Sequence, residues 1–237
     1  MNEINRPSQV IFIRHGESAR NKAKAKGTTY FADEEARKTV KGIPDQEILL
    51  TPEGIVQAQQ TGVYLRNHFG KPDYVYHSGY RRTIQTAKSA LEAFSPEERK
   101  KIMVRMNLFI RERHPGFTYD MTTVEAEKAF PYLADHWKTF GGFLAEPPGG
   151  ESLAQVTERA YAFLNMLFRD RSGKKIWVFT HGGTLRCFRF VLERWNYKRA
   201  LKWPPGQTPE NCGITVYNFD PKKGRLVLQE YNTVAWK

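Results

Sequence analysis

Val10-Ile11-Phe12-Ile13-Arg14-His15-Gly16-Glu17-Ser18 decides how this chain is read. Four apolar residues in a row, rich in β-formers, predict a short buried strand. An arginine, a histidine and a glycine follow where that strand should end. In open α/β sheets, ligands bind just beyond the carboxyl ends of the strands. The stretch therefore sets an imidazole and a guanidinium where chemistry sits, and Gly16 lets the backbone turn tightly and approach a ligand. Taken alone, a lone histidine after a strand is more often structural or solvated than catalytic.

The rest of the chain bounds that reading. At 237 residues, with 40% hydrophobic content, it can form one large α/β domain over residues 1–237 with a sizeable core. No run approaches the roughly 18 apolar residues of a membrane span. Residues 1–9 carry no apolar signal region, so a cytoplasmic location is expected. Cys187 and Cys212 have no metal-like spacing and read as buried thiols. The net charge of +12 fits nucleic acid, an anionic surface or a phosphorylated substrate. Its Lys/Arg runs are short, such as Arg99-Lys100-Lys101 and Lys174-Lys175, and no nucleic-acid module or basic tail accompanies them. Neither nucleic acid nor membrane is expected as a partner, and oligomeric state is not legible.

Thr51-Pro52-Glu53 opens a helix, with Thr as N-cap and Pro in the first turn, that runs to about Phe69 and stops at Gly70. Residues 73–78 read as a second strand, followed by a helix carrying Arg81, Arg82, Gln85 and Thr86. Residues 102–109 read as a third strand. Ser152-Leu153-Ala154-Gln155 is a capping box opening another helix. Residues 175–180 form a fourth strand, ending in His181-Gly182-Gly183 and a further helix. Residues 213–219 and 225–230 close as a hairpin. This order predicts a three-layer α/β/α sandwich with a mainly parallel central sheet. Residues 113–150, aromatic and irregular, form an insertion over the C-terminal edge. Residues 22–47, with a short helix near Asp33–Lys38, read either as a solvated excursion or as a flap beside His15. The insertion's aromatics read as local core.

One event occurs twice: a hydrophobic strand ends in His-Gly at His15-Gly16 and again at His181-Gly182. If both strands are central and parallel, both imidazoles emerge at one edge. Arg14, Arg82 and Arg186 stand nearby, and forked guanidinium donors match phosphate oxygens. A metal is the rival for two histidines, but no carboxylate or cysteine stands at ligand spacing and the arginines would repel a cation. No metal and no cofactor are expected.

Arg14-His15-Gly16-Glu17-Ser18 with Asn21 resembles the signature of the histidine phosphatase superfamily, the phosphoglycerate-mutase-like proteins. The resemblance continues through Leu50-Thr51-Pro52-Glu53-Gly54, then Ser78 to Ala87, where it makes Arg82 rather than Arg81 the pocket arginine. Arg111-Glu112 with Gly116, Pro148 to Ser152, and Thr180-His181-Gly182-Gly183 complete it. It implies that His15 is the nucleophile that forms a phosphohistidine. Arg14, Arg82 and His181 would hold the phosphoryl oxygens, with Gly182 beside them and Asn21 as a further donor. Glu112 would protonate the leaving oxygen and then activate water. Arg111 and Arg113 are expected on the opposite face of a strand from Glu112. Glu17 either orients an arginine or makes a structural bond. Among the other histidines, His68 and His136 read as solvated and His77 as packed, while His114 is close enough to line the pocket.

Residues 22–47 replace the segment that follows the asparagine in the family's dedicated mutases, and His181-Gly182-Gly183 is closer to the phosphatase form. Hydrolysis of a small phosphomonoester is therefore expected. The alternatives are a phosphoglycerate mutase and, from another class, a non-catalytic basic binding protein. The substrate determinants should lie in residues 22–47 and 113–150.

Overall fold

The structure, a computed structural model, describes residues 6–24, 28–201 and 208–237. The tract Lys22 to Gly27 that the sequence left unread lies partly outside these residues. A six-stranded sheet carries the fold. Strands β1 (Gln9–Arg14), β2 (Tyr74–His77), β3 (Met103–Met106) and β4 (Lys175–Thr180) run parallel, and β5 (Ile214–Asp220) and β6 (Arg225–Thr233) are antiparallel, in the order β3-β2-β4-β1-β5-β6. The expected hairpin is the pair β5–β6.

Period-two alternation in β1 builds both faces. Val10 and Phe12 pack with Phe163, Leu167 and Phe188. These come from α8 (Leu153–Asp170) and α9 (Gly182–Leu192). Ile11 and Ile13 point the other way, onto Leu65, Ala87 and Ala90 of α3 (Pro52–Phe69) and α4 (Arg81–Leu91). All four β1 side chains are fully buried. The remaining helices are α1 (Ala19–Ala23), α2 (Glu34–Arg37), α5 (Pro96–Lys100), α6 (Thr123–Ala129), α7 (Leu133–Leu144) and α10 (Tyr197–Leu201). Among the described residues, no helix is long and apolar enough to cross a membrane.

The third strand is shorter than the sequence predicts. The Asn107 side chain accepts from the Phe109 N–H at 2.9 Å and turns the chain into a 3-10 segment, Leu108–Ile110. The insertion's aromatics also divide: Phe143 is buried, Tyr119 and Trp137 line a cavity, and Phe117, Tyr132 and Phe140 are exposed.

The turn after β1 touches the start of α3 backbone to backbone. A Cβ on Gly16 would lie 2.4 Å from the Gly54 carbonyl oxygen, and one on Gly54 would lie 2.1 Å from that of Glu17. Thr51 fixes the approach: its N–H donates to the Glu17 carbonyl at 2.9 Å, and its hydroxyl donates to the Glu17 carboxylate at 2.9 Å. Glycine to alanine inside a helix ordinarily stabilises by about 1 kcal/mol. Here Gly54→Ala is expected instead to destabilise by ~1–3 kcal/mol through overpacking. Urea unfolding checks this, and a variant as stable as the wild type would contradict the contact.

Candidate active site

The pairing of β1 with β4 sets Arg14 opposite Thr180. The next residue on each strand is a histidine, so His15 and His181 emerge side by side with ring centroids 5.2 Å apart. They are 4% and 0% exposed. His15 Nδ1 lies 2.8 Å from the Gly16 carbonyl oxygen. A carbonyl only accepts, so this bond puts the ring proton on Nδ1 and leaves the Nε2 lone pair free. Burial pushes the His15 pKa well below its usual value, with the charges of Arg82 and Arg14 adding to the effect and the Gly16 bond opposing it. Its imidazole is neutral at pH 7. His181 is likewise held well down, by burial first and then by Arg82, His15 and Arg14. Its Nε2 meets the Ser78 hydroxyl at 2.9 Å, while its buried Nδ1 has no hydrogen-bond partner.

Arginines close the pocket floor. Arg14 donates from one terminal nitrogen to the Pro209 carbonyl at 2.6 Å, and its buried Nε has no partner. A Cβ on Gly182 would lie 3.6 Å from that Nε, so the glycine keeps the space above it open. Gly182 also begins α9, whose amino end faces the same space. Arg82 reaches in from the first turn of α4 and is bound there by Asp45. The buried Arg14 N–H without a partner, beside two neutral imidazoles of which His15 keeps a free Nε2 lone pair, forms a socket for an anion.

Glu112 stands on an irregular segment, not on a strand. Buried Arg159 supplies the grip that a ladder would have given. It donates to the carbonyls of Phe109, Arg111 and Glu112 at 2.8, 2.7 and 3.0 Å. Thr180 binds the Ile110 carbonyl at 2.8 Å, and Thr184 that of Arg111 at 2.6 Å. Glu151 completes the clamp, pairing with Arg159 at 3.0 Å and Arg111 at 2.8 Å. Burial pushes the Glu151 carboxyl up, but bonds from Arg159 and His114 and the charges of Arg159 and Arg111 hold it below the usual range.

Strand geometry therefore fails to separate the two neighbouring arginines. Arg111 turns to Glu151, whereas Arg113 lines the pocket with Glu112 and lies over Trp137. The Arg113 backbone N–H donates to Glu112 Oε1 at 2.9 Å. His114 is exposed, is absent from the pocket lining, and accepts from the Gly116 N–H at 3.2 Å. Among the other histidines, His68 is exposed as expected, but His136 and His77 are half-buried.

The cavity holds about 710 Å³ and is lined by every residue the sequence selected except His181, which lies beneath it: Arg14, His15, Asn21, Arg82, Glu112 and Gly182. Asn21 is oriented by its amide oxygen, which accepts from Ser18 and Asn211, so its NH₂ is left as the donor. Glu17 bonds Thr51 and takes the structural role. Sequence reasoning missed Asp45, Arg113 and Asn211. Asp45 and Arg113 fall in residues 22–47 and 113–150, where the substrate determinants are expected, whereas Asn211 carries no local signal. Among the described residues, no group of three or more His, Cys, Asp or Glu is placed to hold a metal ion.

Residues 10–232 match the family description "Histidine phosphatase superfamily (branch 1)". The chain belongs to this superfamily. It is 30% identical over 210 residues to the phosphoglycerate mutase-like protein AT74 of Arabidopsis thaliana, a match covering 81% of this chain and 60% of that one. The chain thus spans about three fifths of the length of that relative. It is 27% identical over 187 residues to a 2,3-bisphosphoglycerate-dependent phosphoglycerate mutase of Methylorubrum extorquens, covering 78% of each. Among solved structures, the fold is shared with a mycobacterial glucosyl-3-phosphoglycerate phosphatase bound to inorganic phosphate. That likeness has a TM-score of 0.71 at 20% identity and covers 97% of this chain and 99% of the other. A putative α-ribazole-5'-P phosphatase of Escherichia coli has a TM-score of 0.73 at 18% identity, with 97% and 98% covered.

The depressed histidines link stability to pH. The unfolded chain protonates them near pH 6.5, about their ordinary pKa, while the folded protein keeps them neutral well below that. Below pH 6.5 the unfolded state thus binds more protons, and this stability, fully present above pH 6.5, is lost as pH falls. Melting temperature should drop between pH 7 and pH 5, and should drop less in His15→Gln. An equal drop in both would contradict the buried, neutral assignment.

Proposed function

We propose that the protein hydrolyses a small phosphomonoester through a phosphohistidine on His15. The observation that carries this reading is the His15 Nε2 lone pair, freed by the 2.8 Å bond at Nδ1 and set beside the partnerless Nε of Arg14 and Nδ1 of His181. Nε2 attacks phosphorus as the bond to the ester oxygen breaks, and Glu112 gives that oxygen its proton. The ring becomes positive as the N–P bond forms, and the Gly16 carbonyl steadies its Nδ1–H. Arg14, Arg82 and His181 hold the phosphoryl oxygens, with Asn21 and the Gly182 backbone as further donors. Water then attacks phosphorus, Glu112 takes its proton, and the N–P bond breaks to release phosphate and restore His15.

Hydrolysis is favoured over transfer to a second acceptor by the His181-Gly182-Gly183 turn. A Cβ on Gly183 would lie 2.7 Å from Glu112 Oε1, so any side chain at 183 would have to displace the carboxyl from where it now stands. We read the chain as one domain in which residues 22–47 and 113–150 form a cap that selects the substrate. The two segments are bonded to each other, Phe31 with Met121 and Thr123, and Arg37 with Glu125 at 2.7 Å. The mutase reading is kept as the alternative because relatives at 27% identity carry that name.

Phosphate release from a panel of phosphorylated sugars, glycerates, nucleotides and an aryl phosphate tests the proposal. Release without any acceptor is expected, with His15→Ala slower by about 10³-fold or more. A His15→Ala rate equal to wild type would remove the nucleophile. Interconversion of 2- and 3-phosphoglycerate faster than phosphate release would establish the mutase instead.

A further inference from the structure

Arg82 does not stand open in its pocket. Its NH1 donates to the Asp45 carbonyl at 2.5 Å and lies 3.1 Å from Asp45 Oδ1, and its NH2 donates to Oδ2 at 3.2 Å. The carboxylate therefore covers the forked edge that a phosphoryl group would take. The pair is well shielded, with side chains 5% and 17% exposed. Arg14 Nε and His181 Nδ1, by contrast, are without partners.

Asp45 is also firmly placed. It begins the 3-10 turn Asp45–Glu47, which Pro44 precedes. The Tyr119 hydroxyl donates to the Ile43 carbonyl at 3.0 Å, and the Gly42 N–H donates to Asp120 at 2.8 Å. Glu47 pairs with Arg81 at 3.0 Å, so the neighbouring arginine ties down the same turn from outside the pocket. Around Asp45, Arg20 and Lys24 supply further positive charge. Burial, then Arg20, lowers the Lys24 pKa to about 8, with Asp45 opposing.

We infer that Asp45 is an internal anion that competes with the phosphoryl group for Arg82. It thereby weakens the hold on bare phosphate and favours phosphomonoesters that offer it a hydroxyl or ammonium donor. The inference rests on the reading of this pocket as a phosphomonoester site. A phosphoryl group drawn to Arg14, His181 and His15 meets Arg82 already engaged. It must displace a carboxylate or lie beside one, and like charges at that separation repel in a shielded site. A donor next to the ester oxygen offsets that repulsion by bonding to Asp45. Inorganic phosphate has no such arm, so the product of hydrolysis is held less tightly than its ester.

The sign of one substitution decides the matter. Inorganic phosphate and O-phosphoethanolamine, whose ammonium lies two carbons from the ester oxygen, are titrated calorimetrically into His15→Ala and into His15→Ala with Asp45→Asn. Asp45→Asn should bind phosphate more tightly, by about tenfold, and should lose most of the preference for phosphoethanolamine over phosphate. Unchanged or weaker phosphate binding would overturn the inference, because a carboxylate that only positions Arg82 weakens binding when removed. An unchanged preference would overturn it as well. If Asp45→Asn does not fold, Tyr119→Phe, which frees the Ile43 carbonyl and loosens the turn, takes its place with the same expected signs. Persistent turnover in His15→Ala would count against the hydrolytic mechanism while leaving the phosphate comparison intact.

Discussion

The site depends on the register between β1 and β4. Pairing Arg14 with Thr180 carries His15 and His181 to adjacent positions at the end of the sheet, and a one-residue slip would send one imidazole to the other face. Register is fixed by burial on both sides of β1, where Val10 and Phe12 fill one core and Ile11 and Ile13 the other. Burial then sets the chemistry. Two imidazoles removed from water and faced by arginines are kept neutral, which is the state a nitrogen nucleophile needs. Gathering cations and leaving buried donors without partners opposes folding, and the hydrophobic layers above and below sustain the arrangement.

Glu112 is positioned by different means. No strand or helix holds Glu112. A guanidinium on α8, that of Arg159, binds the carbonyls of Phe109, Arg111 and Glu112, and Glu151 neutralises that guanidinium from the loop before the helix. A loop secured in this way satisfies its backbone without a ladder, which lets the pocket wall carry an irregular path. The glycine at 183 leaves the space that the carboxyl occupies.

Much of this was legible from residue order. Strand ends marked by His-Gly, the Thr51 and Ser152 caps, and the two-residue alternation in β1 are local signals, and the elements they predict are present. Arg82 could be separated from Arg81 by motif position, and the structure separates them physically: Arg82 enters the pocket while Arg81 pairs with Glu47 outside it. What was not legible depended on contacts distant in sequence. Asn107 ends the third strand early, which removes the alternation that would have turned Arg113 away from Glu112. Asp45 meets Arg82 across 37 positions, and Asn211 meets Asn21 across 190, distances over which no periodicity speaks. The aromatics of residues 113–150 divide between core, cavity and surface for the same reason.

The central claim is that His15 Nε2 takes the phosphoryl group. Its most direct measurement is the phosphorylated protein itself, trapped by a rapid alkaline quench during turnover and examined by ³¹P resonance and peptide mass spectrometry. The account predicts a base-stable, acid-labile phosphoryl group on His15, bonded at Nε2, and absent from His15→Asn. Turnover with no phosphohistidine, or with the phosphoryl group on another residue, would contradict it.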